Sequence, residues 1–142
     1  MKSLLVILSL SSLMYANSSF AGNTDVNPVV TNAFNKTYNN VSDVKWSETN
    51  GFYKVEFDYN NQHITDYYNA DGDLIASSQE VSSTSLPSSL QVTLKKYLAD
   101  YWISDLYKIT NEEGTTYYVS LKSADKVIVL KSVSDKKWVN FN

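Results

Sequence analysis

The chain has 142 residues, of which 43% are hydrophobic and 13% aromatic, and its formal charge is −3. This composition is typical of a chain that buries a continuous core, not of a disordered one. Every basic residue is lysine and cysteine is absent. Disulfides and thiol catalysis are therefore excluded, and nucleic-acid binding is not expected, because arginine is the usual bidentate reader of phosphate.

The first residues have the pattern of a cleaved signal peptide. Lys2 gives a basic start, an apolar run extends from Leu4 to Met14, and the small residues Ser19 and Ala21 suit a signal peptidase. The run is shorter than the roughly 20 residues that span a bilayer, so no membrane insertion is expected after cleavage. Cleavage after Ala21 changes the formal charge to −4, because Lys2 is the only charged residue removed. The sequence thus predicts a periplasmic or secreted protein.

Two segments have the apolar spacing of amphipathic helices. The first has Asn27 as its cap and Pro28 at the first helical position, followed by an apolar stripe of Val30, Ala33, Phe34, Thr37 and Tyr38. The second begins at Pro87, and its stripe comprises Leu90, Leu94, Tyr97, Leu98 and Tyr101. Each helix is expected to bury one face.

After each helix the apolar period changes to two, which indicates strands with one buried face. The alternating residues are Tyr53, Val55, Phe57 and Tyr59 in the first half, and Tyr117, Val119 and Leu121 in the second. Turn-forming pairs separate the β-rich runs and predict antiparallel hairpins, at Asn50-Gly51, Asn60-Asn61, Asp71-Gly72, Glu113-Gly114 and Asp125-Lys126.

The two halves resemble each other. "VSDVKW" from Val41 recurs as "ISDLYK" from Ile103, an offset of 62 residues, and "FYKVEF" from Phe52 recurs as "TYYVSL" from Thr116, an offset of 64. Matches at nearly one offset indicate an internal duplication, and chance similarity of short β-rich segments is the alternative.

The predicted fold class is α+β. It consists of two tandem repeats, each a helix followed by a four-stranded antiparallel meander, with the helices on one face of the sheet. The predicted boundaries are a signal peptide at 1–21, a first repeat at 22–82 and a second repeat at 83–142.

Three stretches resemble a known family. "FNKTYNNVSDVKWSETNGFYKVEF", "YYNADGDLIAS" and "LPSSLQVTLKKYLADYWISDLYKI" are similar to PepSY-like, β-lactamase-inhibitor-like periplasmic proteins of Bacteroidetes. The most specific matches are Val44-Lys45-Trp46, the turn from Tyr68 to Gly72, and Leu86-Pro87; Asn39 departs from the proline that is frequent there. The resemblance implies a tandem helix-plus-sheet fold, no known enzymatic activity, and docking of a partner on the uncovered sheet face.

The turn between the tyrosine pair and the next strand raises the question of calcium. Asn69, Asp71 and Asp73 are set at alternate positions around Gly72. In a calcium-loop register that starts at Asn69, the position requiring glycine is Leu74, which begins an apolar strand. A two-residue Asp-Gly hairpin turn is the preferred interpretation. Weak calcium binding by Asn69, Asp71 and Asp73 is the alternative.

Catalytic signatures are scarce. His63 is the single histidine of the chain and follows the Asn60-Asn61 turn, where a solvated side chain is expected. No G-x-S-x-G elbow is present, and four glycines form no phosphate-binding loop. The sequence therefore predicts a protein that is not an enzyme and needs no cofactor.

The aromatic content remains to be explained, with 11 tyrosines and 3 tryptophans. Phe52 and Tyr118 fall on the polar faces of their strands, and Tyr67 and Tyr68 place one ring on each face. Exposed aromatic rings mark recognition surfaces. By the resemblance to the inhibitor-like family, Phe52, Tyr67 and Tyr118 are the candidate contacts for an unidentified protein or peptide, and isolated surface aromatics are the alternative. The predicted function is a non-catalytic binding module, and the alternative is a calcium-responsive envelope protein that uses its acidic turns.

Overall fold

A computed structural model describes residues 25–141. The predicted signal peptide, residues 1–21, lies outside the described residues. Within them, helix α1 (Pro28–Thr37) precedes four strands, and helix α2 (Ser88–Leu94) precedes four more. The strands are β1 Ser42–Thr49, β2 Phe52–Tyr59, β3 Gln62–Tyr68, β4 Leu74–Glu80, β5 Trp102–Asn111, β6 Gly114–Lys122, β7 Val127–Val133 and β8 Lys137–Asn140.

All eight strands form one antiparallel sheet in chain order, so the α+β class and the antiparallel meander are confirmed. The two halves join where β4 pairs with β5, for example at Ser78 and Ile109. The helix-then-four-strands order occurs twice in the described chain. The origin of this order in a duplication, and the boundaries 22–82 and 83–142, stay predictions.

Helix α1 begins where the sequence predicted. The Asn27 side chain accepts a 2.9 Å hydrogen bond from the Val29 amide and caps the helix, with Pro28 following. Val30 and Phe34 are buried, and the Phe34 ring packs edge-on against neighbouring aromatic rings, those of Trp46 and Phe57. These contacts build an aromatic core between α1 and the first four strands.

Helix α2 is shorter than its apolar stripe suggested. The helix ends at Leu94, and turns replace it up to residue 100. Leu90 and Leu94 are buried, but Leu98 is 41% exposed, so the prediction that it belongs to the buried stripe is wrong. The helix is anchored to the sheet by Trp138, whose Nε1–H donates a 3.1 Å hydrogen bond to the Leu90 carbonyl oxygen.

Strand pairing identifies the sheet residues that share a face with those contacted by the helices. Successive pairs connect, across the sheet, Phe57, Ile64, Gln79, Lys108, Tyr117, Ser132 and Trp138. Paired residues share a face, and α1 contacts Phe57 while α2 contacts Trp138. Each described helix thus contacts a residue of this face. The opposite face is called the open face below.

Two hairpin turns in the first half match the prediction, and a third does not. Asn50 and Gly51, and likewise Asn60 and Asn61, form two-residue turns in which both residues have positive φ, as predicted. The Asp71-Gly72 turn differs, because a five-residue loop, 69–73, separates β3 from β4. The prediction of a two-residue turn there is wrong.

Contacts within the loop 69–73 explain its form. Asn69 Oδ1 accepts hydrogen bonds from the amides of Asp71 and Asp73, at 3.0 and 2.9 Å. Gly72 has φ +84°, and a Cβ there would lie 3.1 Å from Val29 of α1. The loop thus fits against α1. Leu74, predicted to begin a core strand, follows it with 42% of its surface exposed.

Candidate functional site on the open face of the sheet

An apolar cluster occupies the middle of the open face. Cross-strand pairing places Tyr67 beside Ala76. The members of the cluster, called the central cluster below, are Tyr67, Ala76, Ile109 and Tyr118, with Phe141 packed against them. The rings of Tyr118 and Phe141 meet edge to face, with centroids 5.0 Å apart. The central cluster therefore spans β3 to β6 and includes the residue that follows β8.

Tyr67 and Tyr118 lie on the open face but are not exposed. Their relative exposures are 5% and 4%, so the expectation that they are surface aromatics is wrong. The physical reason is that both rings pack in the central cluster, whereas the sequence predicted exposed rings that contact a partner. Burial, with a smaller contribution from Glu56, raises the pKa of Tyr67 to about 12. Burial also raises the pKa of Tyr118.

Phe52 is separate from this cluster. It begins β2, pairs with Thr49 of β1 and is half-buried. Its position two residues before Lys54, which pairs with Tyr67, places it on the open face. The structure thus brings Tyr67 and Tyr118 into one cluster and leaves Phe52 at the end of its strand.

Exposed apolar residues extend the open face toward β8. Val127 is 53% exposed, Val133 is 42% exposed and Val139 is 36% exposed. All three lie on the open face. Val127 pairs with Lys122 and Val139 pairs with Lys131, which are residues of that face, and Val133 follows Lys131 by two residues on β7. Sequence reasoning missed these valines, since β7 reads "VIVLKSV" and its apolar residues do not alternate.

Trp102 is the largest exposed side chain that sequence reasoning missed. It is 56% exposed at the start of β5, where it pairs with Lys122 of β6. A register shift between Ile103 and Asp105 changes which face the earlier residues occupy. Trp102 consequently shares the open face with Asp105, although alternation without the shift would separate them.

Lysines accompany the exposed apolar residues. Lys122, Lys131 and Lys137 all lie on the open face of β6 to β8. The Lys131 ammonium lies 5.9 Å from the centre of the Tyr118 ring. Among residues 25–141, the ion pairs join Lys54 to Glu56 and His63 to Asp58, so these three lysines have no carboxylate partner there.

The candidate calcium ligands are engaged with one another. Asn69 Oδ1 accepts from two backbone amides, and Asn69 Nδ2 donates a 3.0 Å hydrogen bond to Asp73 Oδ2. Within the described chain, no group of three or more acidic, histidine or cysteine side chains could hold a metal ion. Asn69 therefore supports the backbone of this turn and contacts the side chain of Asp73.

His63 lies on the surface, at the end of the sheet. Its Nδ1 is 2.7 Å from Asp58 Oδ1, and both side chains are exposed. They line a polar depression together with Asn40, Ser42, Asn60, Asn61 and Gln62. Ser42 pairs with Asp58 through the strand ladder, and the contact between His63 and Asp58 is a cross-strand surface pair.

An acidic group is enclosed on the helix-covered face, where sequence reasoning did not consider one. Asp66 has no exposed surface, and its Oδ2 accepts a 2.8 Å hydrogen bond from the Tyr38 hydroxyl. Burial raises the pKa of Asp66, while the nearby hydroxyls of Ser77, Tyr38 and Tyr68 oppose the shift. Alternation along β3, in which Ile64, Asp66 and Tyr68 share one face, is the signal that could have found it.

Comparison with known proteins identifies the fold. No protein-family model matches the chain, and no curated protein sequence does. A BLIP-like protein from Bacteroides fragilis has a TM-score of 0.68 at 15% identity, covering 88% of this chain and 91% of its own. The chain therefore has the BLIP-like fold. The PepSY-like assignment stays a prediction.

Further solved structures agree with the BLIP-like fold. A DUF2874 family protein from Bacteroides ovatus has a TM-score of 0.73 at 18% identity, covering 84% of this chain and 89% of its own. A proposed periplasmic protein from Bacteroides eggerthii has a TM-score of 0.68 at 12% identity, covering 80% and 87%. Structural similarity at such low sequence identity is evidence for a shared fold and not for a shared activity. Across residues 25–141, no helix combines the length and apolarity needed to cross a membrane.

Proposed function

We propose that the protein is a non-catalytic periplasmic or secreted module that binds a protein or peptide through the open face of its sheet. The observation that carries the proposal is the group of exposed apolar side chains on the open face, which comprises Trp102, Val127, Val133 and Val139. Exposed apolar side chains grouped on one face mark interaction sites more often than isolated ones do.

The chemistry of the chain supports a binding role. Cysteine is absent and the single histidine, His63, contacts Asp58 at the surface. The predicted signal peptide and the likeness to a proposed periplasmic protein support the compartment. The likeness to a BLIP-like protein supports a binding module, although the identity of 15% leaves the partner open.

A capture experiment tests the proposal. Tagged secreted protein would be incubated with extract from the producing cells, alongside a variant with both Val133→Gln and Val139→Gln. The matched control is Val92→Gln, because Val92 is 61% exposed on α2, away from the open face. We expect the wild type and the control to retain the same polypeptide and the double variant to lose it. Equal retention by all three proteins would contradict the proposal, and melting curves would verify that each variant folds.

A further inference from the structure

We propose that the open face of β5 to β8 binds an acidic and apolar segment of the partner, with Trp102 as the aromatic anchor. This inference rests on the proposed function and specifies the chemistry of the partner. It concerns a part of the open face away from Phe52 and Tyr67 and next to Tyr118, which pairs with Lys131. The site consists of Trp102, Val127, Val133 and Val139 together with Lys122, Lys131 and Lys137.

Trp102 is suited to be the anchor of this site. Trp102 exposes 56% of its surface, whereas Trp138 is 7% exposed and packs under α2. Tryptophan is strongly enriched among the residues that dominate binding energy, because it gives a large contact area at low entropic cost. Trp102, Lys122 and Val127 form one cross-strand row at the end of the sheet. An apolar side chain of the partner can therefore lie on the tryptophan beside a lysine.

The charge of the open face of β5 to β8 also favours an acidic partner. The strands β5 to β8 place three lysines and one acid, Asp105, on the open face, which gives a net charge of +2. The chain as a whole has a formal charge of −3. This face is therefore positive against a negative background. A partner with carboxylates complements it, and a basic partner is repelled.

The three lysines Lys122, Lys131 and Lys137 are available to a partner. None of the three has a carboxylate partner among the described residues. Asp105 accepts a 2.6 Å hydrogen bond from the Ser104 hydroxyl on its own strand. Lys131 lies near the Tyr118 ring, which positions its ammonium above the central cluster. The cations are thus free to pair with carboxylates that a partner brings.

Cations and apolar side chains are neighbours on this face. Val129 and Val133 flank Lys131 along β7, Val127 precedes Val129 on the same face, and Val139 pairs with Lys131 on β8. A partner segment that carries both acidic and apolar residues can therefore meet both types at once.

Peptide selection tests the inference without assuming a partner. The secreted full-length protein would be immobilised and screened with a phage-displayed library of random peptides. We expect the enriched peptides to combine acidic and apolar residues. Enrichment of basic or uncharged peptides would overturn the inference.

A titration of the most enriched peptide then locates the site. Trp102→Ala and the double variant Lys122→Glu, Lys131→Glu are each expected to weaken binding about tenfold or more. The matched controls Val92→Ala and Lys96→Glu lie on the helix-covered side and are expected to change the affinity by less than about twofold. Rising salt should weaken binding to the wild type. Unchanged affinity in the Trp102 and lysine variants would overturn the inference.

Two outcomes separate this inference from the proposed function. If Trp102→Ala has no effect but Phe52→Ala weakens peptide binding, the inference fails and the open face remains a binding surface. If selection yields no peptide and capture yields no polypeptide, both fail. Sedimentation with phosphatidylglycerol vesicles provides a further check. Vesicle binding that requires Trp102, without peptide binding, would assign the surface to anionic lipid and overturn the inference.

Discussion

The Tyr38 hydroxyl donates a 2.8 Å hydrogen bond to Oδ2 of Asp66, which connects the residue after α1 to the middle of β3. Asp66 lies within the aromatic core between α1 and the sheet and has no exposed surface. Ionising a carboxyl group in this position is costly, because the surrounding core excludes the water that would solvate the carboxylate. The contact therefore joins the first helix to the sheet through a group that titrates.

We predict that Asp66 makes the protein less stable as pH rises. Burial raises the pKa of Asp66 above its ordinary value of 3.8. The folded state thus holds a proton that the unfolded chain has already lost, and the stabilisation is present in full below pH 3.8. It is lost as pH rises through the raised pKa. Asp66→Asn should remove this decline and increase the free energy of unfolding at alkaline pH by about 1 kcal/mol or more.

Urea unfolding at a series of pH values measures the effect of Asp66→Asn. The difference between the variant and the wild type isolates Asp66 from the other acids. Asp135→Asn is the matched control, because Asp135 is exposed in the turn before β8. Parallel stability curves for the wild type and Asp66→Asn would contradict the prediction.

We predict that Gly72 is required by its contact with α1 as well as by its backbone conformation. A Cβ at Gly72 would lie 3.1 Å from the Val29 carbonyl oxygen and 3.4 Å from Ala33, at φ +84°. Gly72→Ala should lower the free energy of unfolding by about 2 to 3 kcal/mol.

Gly51 provides the comparison, because its φ is +79° and no atom would meet its Cβ within 4 Å. Gly51→Ala should cost about 1 kcal/mol, from the conformation alone. Equal losses for the two variants in denaturant unfolding would show that the contact with α1 adds nothing.

Calcium should leave the melting temperature unchanged. A ligand that binds only the folded state raises the midpoint, but Asn69 Oδ1 is already occupied by two amide hydrogen bonds. Thermal melts in millimolar calcium and in chelator provide the measurement. A rise of several degrees that disappears in Asp71→Asn and Asp73→Asn would instead support the calcium-responsive alternative.

Iodide should quench tryptophan fluorescence more strongly than caesium does. Trp102 is the exposed tryptophan, and it pairs with Lys122, whose charge attracts an anion and repels a cation. Trp46 is half-buried and Trp138 is buried. The iodide-sensitive fraction should be lost in Trp102→Phe and reduced in Lys122→Gln. Equal quenching by the two ions would argue against a positive surface around Trp102.

The elements could be predicted where local patterns were strong. Alternation placed Val55 and Phe57 in the core, and Asn27 with Pro28 marked the start of α1. The change of apolar period from helical spacing to alternation predicted the order of a helix followed by strands. Each of these features depends on residues that are close together in the chain, so it can be predicted from the sequence alone.

The residues of the candidate site could not be predicted, because their positions depend on features that local sequence patterns do not show. The register shift after Ile103 decides the face of Trp102, and β7 is apolar on both faces, so alternation could not assign Val127. The loop at Gly72 takes its form from Val29, which is distant in the chain. Burial of Tyr67 and Tyr118 likewise comes from a cluster that Phe141 joins from the far end of the sheet.

Photo-cross-linking in the producing cells tests the central claim most directly. A photoreactive amino acid would replace Val133 on the open face or, in the control, Val92 on α2; both side chains are exposed, at 42% and 61%. We predict that irradiation joins the Val133 variant to a second polypeptide and leaves the Val92 variant uncoupled. Cross-links from Val92 but not from Val133 would contradict a binding role for the open face.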